Sequence, residues 1–136
     1  MRDDFPSSIE SSRNYIKNII QNSLQYYFAI TYSDEFIGEI HVAKQNDILK
    51  YSGFLGYWLG EKYWSRGFMS EVLRVMNDFI FTETDINRIF CRVFANNLPS
   101  IRVLEKAGFE KEGEFKNAIF KDGRFLNQYQ YCLLKT

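Results

Sequence analysis

A glycine-containing loop before a predicted helix offers the clearest chemistry in this sequence. The loop carries Arg66-Gly67, and the helix is predicted to begin near Met69. The first turn of a helix exposes unpaired backbone N–H groups and a positive dipole end, and a glycine lets an anion approach closely. The segment therefore predicts a phosphate-binding loop, with Arg66 adding a positive charge. The alternative is a tight turn that binds nothing, since such glycines are common. A nucleotide P-loop is excluded because the Gly-Lys-Ser/Thr ending is absent.

A second pair of polar residues follows the next predicted strand. Asn97 and Ser100 lie where that strand ends and a short helix begins. If the two β-α units are adjacent, both residues lie close to the Gly67 loop, where Asn97 can bind a ligand amide and Ser100 can donate a proton. The alternative is that both residues only cap the helix, because Asn and Ser are preferred there.

Three residues carry side chains that can accept a proton in a reaction. Glu39 and His41 are two apart in a predicted strand, so they share one face. Glu61 follows the next strand. His41 is the only histidine, but a lone strand histidine is more often structural. Glu39 is therefore the preferred candidate.

The elements that position these residues follow from periodicity and turn signals. A capping box at residues 7–10 and the spacing of its isoleucines predict an amphipathic helix over residues 7–22. A helix after Gly67 has an apolar stripe, and Asp122-Gly123 indicates a hairpin. Strands are predicted at 26–31, 36–42, 54–59 (buried on both faces), 88–94, 109–120 and 125–134, with a short helix at 100–107 capped by Gly108. The order α-β-β-β-α-β-α-β-β predicts an α+β fold, a mixed sheet with helices on both faces.

Composition narrows the class of protein. The 136 residues fit a single domain spanning 1–136, and their net charge of zero makes nucleic acid or a membrane a poor partner. Cys91 and Cys132 lie in apolar runs and are predicted to be buried thiols of a cytoplasmic protein, with no metal site.

Together the two loops resemble a known family. Residues 56–71 and 97–109, with the ending from Glu112 to Lys135, resemble the GCN5-related N-acetyltransferase (GNAT) superfamily, and within it the RimJ/RimL-type subgroup that acetylates the N-termini of ribosomal proteins. The resemblance covers roughly residues 26 to 135. It implies the acyl-CoA N-acyltransferase fold as the form of the α+β architecture.

The resemblance implies acetyl-CoA as the acetyl donor and assigns residues to it. The backbone of Leu59, at the end of a splayed strand, is expected to pair with the pantetheine arm, and Asn97 is expected to hydrogen-bond the same arm. The pyrophosphate is expected on the backbone N–H groups of Arg66, Gly67, Phe68, Met69 and Ser70.

The implied mechanism is direct attack by a primary amine in a ternary complex. A backbone N–H near Leu59 would hold the oxyanion. Many members use a Tyr as the acid in the short helix, but this chain has Leu104 there. Ser100 is therefore the expected acid, and Glu39 is the expected base.

The chain departs from the family in two ways. Its phosphate loop has Trp64 and Met69 at its first and last signature positions, where the family usually has Gln or Arg and Gly or Ala. The usual first strand and helix are also expected to be missing, which would expose an edge strand and favour a homodimer.

Two function classes follow from these residues. The first is an N-acetyltransferase whose acceptor is a protein N-terminus or a small amine. The alternative is a non-catalytic coenzyme A-binding module or truncated relic. The absent tyrosine and the missing first strand and helix favour this alternative. A small interaction domain whose Gly67 loop binds nothing is a further alternative.

Overall fold

The computed structural model describes the backbone of residues 14–22 and the whole of residues 25–136. Seven strands and two α-helices form the described part of the chain. They are β1 (Asn14–Asn22), β2 (Gln25–Tyr32), β3 (Glu35–Lys44), β4 (Ser52–Leu59), α1 (Phe68–Glu83), β5 (Arg88–Phe94), α2 (Leu98–Lys106), β6 (Glu110–Lys121) and β7 (Arg124–Leu134). Short 3₁₀ turns lie at Asp47–Leu49 and Glu61–Tyr63.

The strands form one mixed sheet in the order β1-β2-β3-β4-β5-β7-β6. Neighbouring strands are antiparallel except β4 and β5, which are parallel because α1 crosses over between them. The predicted α+β class and mixed sheet are confirmed. So are the predicted hairpins and the strand at 88–94.

The predicted helix over residues 7–22 is wrong where the structure describes it. Residues 14–22 form β1, which pairs antiparallel with β2, Ile16 opposite Ile30 and Ile20 opposite Tyr27. The register shifts between Asn18 and Ile20. Ile16 and Ile20 are four residues apart, a spacing that fits one face of a helix and also the period of two of a strand, so the spacing alone did not distinguish the two. Residues 7–13 of the prediction lie outside the described residues.

Both described helices pack on one face of the sheet. The α1 stripe is confirmed, since Val72, Met76 and Ile80 are fully buried. The α1 ring of Phe79 contacts Phe28 of β2 edge-on, with centroids 5.8 Å apart. The helix α2 reaches the same side, because the buried Tyr131 of β7 donates a hydrogen bond to Glu105 at 3.1 Å. The sequence placed helices on both faces, but those of the described residues share one.

The opposite face of β4 is partly open, which corrects the prediction of a strand buried on both sides. Leu55 is 2% exposed on the helix face, whereas Trp58 is 49% exposed on the other. Of the predicted buried thiols, Cys91 is buried and Cys132 is half-buried.

Two predicted turn signals are confirmed. Gly108 follows α2 with φ +95°, and the β6–β7 turn has Asp122 at φ 54° and Gly123 at φ +78°. Neither described helix is long and apolar enough to cross a membrane.

Candidate active site

The strands β4 and β5 pair for only three residues and then separate. Ser52, Gly53 and Phe54 pair with Arg88, Ile89 and Phe90. Beyond these pairs β4 stays with β3, and β5 stays with β7. The separation opens a cleft of about 270 Å³, whose lining includes Tyr57, Cys91, Asn97, Ser100 and Leu104. Because the two strands are parallel, the cleft opens at their carboxyl ends, where α/β sheets commonly bind ligands.

The β4 backbone presents N–H groups to this cleft. Gly60 donates its N–H to the carbonyl of Ile37 at 2.7 Å. Antiparallel pairs alternate between hydrogen-bonded and non-bonded, so the backbone groups of Tyr57 and Leu59 point away from β3. The Leu59 carbonyl accepts the indole N–H of Trp64 at 2.7 Å. The strand end therefore presents the Leu59 N–H, a donor suited to a developing negative charge.

The loop after β4 has the geometry of an anion site. Ser65 and Gly67 both have left-handed backbone, with φ 60° and φ +82°. Gly67 is the N-cap of α1 and has no side chain to cap it, so the first N–H groups of the helix lie open. The Arg66 guanidinium stacks over the rings of Tyr63 and Phe68, at 5.5 and 5.2 Å from their centroids. That stacking holds a positive charge beside the helix dipole.

The structure brings Asn97 and Ser100 to the opposite wall of the cleft. Asn97 is the N-cap of α2, and its side-chain oxygen accepts the N–H of Ser100 at 3.2 Å. The capping alternative is thus confirmed for this oxygen, while the Asn97 amide N–H₂ group is on an exposed residue. The Ser100 hydroxyl is not a cap. It lies 2.6 Å from the hydroxyl of Tyr57.

Tyr57 is a residue of the cleft that the sequence analysis did not single out. Its hydroxyl reaches from β4 to the Ser100 hydroxyl of α2. Burial raises its pKa to about 12, so the phenol keeps its proton at neutral pH. Leu104 is 1% exposed and lines the same cleft. A tyrosine hydroxyl therefore reaches the cleft from β4, although Leu104 occupies the α2 position at which a tyrosine was expected.

The base candidates lie on the face away from the helices. Glu39 accepts the Trp58 indole N–H at 3.3 Å. His41 stacks on Tyr27, with ring centroids 4.8 Å apart, and lies over Gly56, where a Cβ would collide with its ring. Burial lowers the pKa of His41, and the Glu39 carboxylate offsets part of that effect. These contacts favour a structural role for His41.

Glu61 lies elsewhere. It is an exposed residue at the start of the 3₁₀ turn after β4. No hydrogen bond or ion pair within the described residues directs it into the cleft.

Comparison with known proteins identifies the family. The sequence matches the family described as Acetyltransferase (GNAT) domain over residues 1–110. The chain belongs to this family, and the expected GNAT fold is confirmed.

Relatives of several kinds share the architecture. The chain is 35% identical to the probable N-acetyltransferase YjcK of Bacillus subtilis, covering 93% of this chain and 75% of that protein. It matches the crystal structure of ribosomal-protein-S5-alanine acetyltransferase from Vibrio fischeri with a TM-score of 0.75, at 25% identity, over 82% of this chain and 62% of that one. It also matches Mycobacterium smegmatis RimJ in complex with CoA-disulfide, with a TM-score of 0.73 and 26% identity, over 82% and 53% of the two chains.

The match covers part of these proteins. The chain spans between 44% and 75% of the length of the curated relatives compared with it. The expected resemblance to the ribosomal-protein acetyltransferases is confirmed, because such enzymes are among the relatives that the chain matches.

Proposed function

We propose that this chain is an acetyl-CoA-dependent N-acetyltransferase that acts on a primary amine by direct attack in a ternary complex. One observation carries the proposal. The splayed end of β4, with its outward N–H groups, is joined by the loop 60–67 to the N-terminus of α1, where no side chain caps the first N–H groups. A ligand with a polar arm and a pyrophosphate would satisfy both sets of N–H groups at once.

The residues present fit that donor. The N–H groups of Gly67, Phe68, Met69 and Ser70 are suited to the pyrophosphate, and the Arg66 guanidinium adds charge. The Leu59 backbone and the Asn97 amide face the arm from the two walls of the cleft. Acetyl-CoA supplies the activated acyl group as a thioester.

The chain's own groups then serve the transfer. The Leu59 N–H donates to the acyl oxygen as negative charge develops there. Ser100 passes its hydroxyl proton to the departing sulfur and takes one from water in return, and Tyr57 orients that hydroxyl through the 2.6 Å contact. A thiol has a pKa of about 8.5, so a weak acid suffices. Glu39 accepts the proton that the attacking amine loses.

A thiol-release assay with acetyl-CoA and a panel of peptides and small amines tests the proposal. Ser100→Ala should lower kcat about 10-fold or more with little change in acetyl-CoA affinity. Thr82→Ala is a matched control, because its hydroxyl bonds to Asp78 at the far end of α1, 2.8 Å away. Acetyl-CoA binding without thiol release on any amine would instead support the non-catalytic module. Equal activity of Ser100→Ala would limit Ser100 to a structural role.

The proposal extends to the assembly. One catalytic domain over residues 1–136 acts in the cytoplasm as a homodimer paired along an edge strand. Analytical ultracentrifugation tests the homodimer. A chain that sediments as a monomer at micromolar concentration would refute it.

A further inference from the structure

An arginine lines the cleft between β4 and β5 from the face of the sheet away from the helices. Side chains alternate along β5, so Cys91 and Val93 are buried on the helix face, whereas Arg92 is exposed on the other face. All three residues line the same cleft. The gap that opens where the two strands separate therefore reaches both faces of the sheet.

The charge of this cleft is positive. Arg92 is the one charged residue among the described residues that line it, and the others are apolar or uncharged. A second cation lies close by, because the Lys121 ammonium is 5.1 Å from the ring centroid of Phe94, which also lines the cleft. A positive potential attracts a negative group on the acceptor and disfavours a polyamine.

Neighbouring side chains hold the Arg92 guanidinium in place. It stacks over the ring of Phe115, 4.9 Å from the centroid. Its Nε–H donates to the side-chain oxygen of Gln130, the cross-strand partner of Arg92, at 2.9 Å. The Gln130 amide is itself oriented, because its N–H₂ group donates to Glu112 Oε2 at 2.6 Å. The guanidinium is therefore fixed by a ring on one side and an amide on another.

The carboxylate in this network is already paired with a different arginine. Glu112 accepts hydrogen bonds from both Nη groups of Arg88, at 2.8 and 2.7 Å. Within the part of the chain that the structure describes, no carboxylate pairs with Arg92, and its Nη1 and Nη2 groups make no hydrogen bond. The planar N–H donors of a guanidinium match the two oxygens of a carboxylate. Arg92 thus has the charge and the donors to bind an acidic ligand.

We propose that Arg92 binds a carboxylate of the acceptor, so that the substrate is an amine that also carries an acidic group. The inference rests on the proposed function, because it names the acceptor class of that same site. Gly67 and Asn97 begin the two helices, so the donor lies on the helix side and the acceptor enters from the other face. Arg92 holds the carboxylate there, while the amine reaches the acyl carbon through the gap.

Matched pairs of acceptors test the carboxylate and identify its source. One pair is L-alanine and L-alaninamide, and the other is the peptide amides Ala-Asp-Ala and Ala-Asn-Ala. In a thiol-release assay, Arg92→Gln should lower kcat/KM about 5- to 20-fold for the acidic member of a pair and leave the neutral member unchanged. A response in the first pair assigns a free amino acid, and a response in the second assigns an acidic peptide side chain.

Two further variants control for charge and for folding. Arg92→Lys keeps the charge without the planar donors and should recover part of the loss. Arg74→Gln, at an exposed position of α1, is the matched control and should change neither member of either pair.

Binding without turnover separates this site from the proposed transferase. The acceptor is titrated into the chain saturated with coenzyme A, which has no acyl group to transfer. Wild type should bind the acidic acceptor about 5- to 20-fold more tightly than Arg92→Gln does, and the Kd of acetyl-CoA should be the same in both.

The remaining outcomes refute one proposal at a time. An equal response of the acidic and neutral members overturns the site, and so does weaker acetyl-CoA binding in Arg92→Gln. A larger Arg92-dependence for O-phosphoethanolamine than for either acidic acceptor overturns the carboxylate. Turnover with the same acidic preference in Arg92→Gln refutes the site and keeps the transferase. Arg92-dependent binding of the acidic acceptor without turnover keeps the site and refutes the transferase.

Discussion

Gly67 allows the phosphate loop to be tested by a single methyl group. Its φ of +82° lies in the left-handed region, and a Cβ built there meets no atom within 4 Å. Gly67→Ala therefore creates no collision in the protein itself. The methyl group instead occupies the space from which an anion would approach the open N–H groups of α1.

The two consequences of this change have different sizes. Left-handed backbone costs alanine about 1–2 kcal/mol, partly offset by the lower entropy of its unfolded chain. The expected fall in Tm is therefore only about 3–5 °C. Losing one charge-assisted hydrogen bond to the pyrophosphate costs about 1.5–3 kcal/mol, or about 10- to 150-fold in the Kd of acetyl-CoA.

Gly123 provides a matched control. It has φ +78° in the β6–β7 turn, and a Cβ there also meets nothing within 4 Å. Gly123→Ala should show the same fall in Tm by calorimetry and an unchanged Kd by isothermal titration. Equal acetyl-CoA affinity in Gly67→Ala and the wild type would refute the phosphate loop. Equal losses in both variants would show that the effect is only backbone strain.

Three further changes test other parts of the structure. Tyr57→Phe removes the hydroxyl that orients Ser100, so we expect kcat to fall about 3- to 10-fold with an unchanged acetyl-CoA Kd; an unchanged kcat contradicts the orientation. The hydrogen bond from Arg88 lowers the pKa of Glu112 from 4.5 to about 2. The contribution of this pair to the stability of the fold is therefore complete above pH 4.5 and is lost as the pH falls towards 2. The stability gap between wild type and Glu112→Gln should therefore close over that range in urea titrations, and a pH-independent gap speaks against the pairing. Gly56→Ala forces a Cβ against the ring of His41 and should destabilise the fold by about 1–3 kcal/mol. His41→Ala should relieve that loss in a double-mutant cycle, and additive losses would rule out the contact.

Local signals predicted the elements that carry the loops. The stripe from Val72 to Ile80 defines α1 by its own period, and Asp122-Gly123 defines a turn within two residues. Gly67 and Asn97 were predicted for the same reason, because glycine and asparagine are preferred residues at the N-cap of a helix.

Contacts between distant residues could not be predicted. Tyr57 and Ser100 are 43 residues apart, and no pattern near either residue reveals their hydrogen bond. The bulge at Ile37 exists because β2 and β3 pair with a register shift. In β1 the four-residue spacing of the isoleucines fits either a helix or a strand, and pairing with β2 decides the structure there.

The measurement to make first is isothermal titration of the purified chain with acetyl-CoA, followed by addition of peptides from the acceptor panel. We expect one-to-one binding of acetyl-CoA, and then free thiol and an acetylated peptide in equal amounts. A folded chain that gives no heat with acetyl-CoA would contradict the assignment of the splayed strands and the Gly67 loop as the donor site.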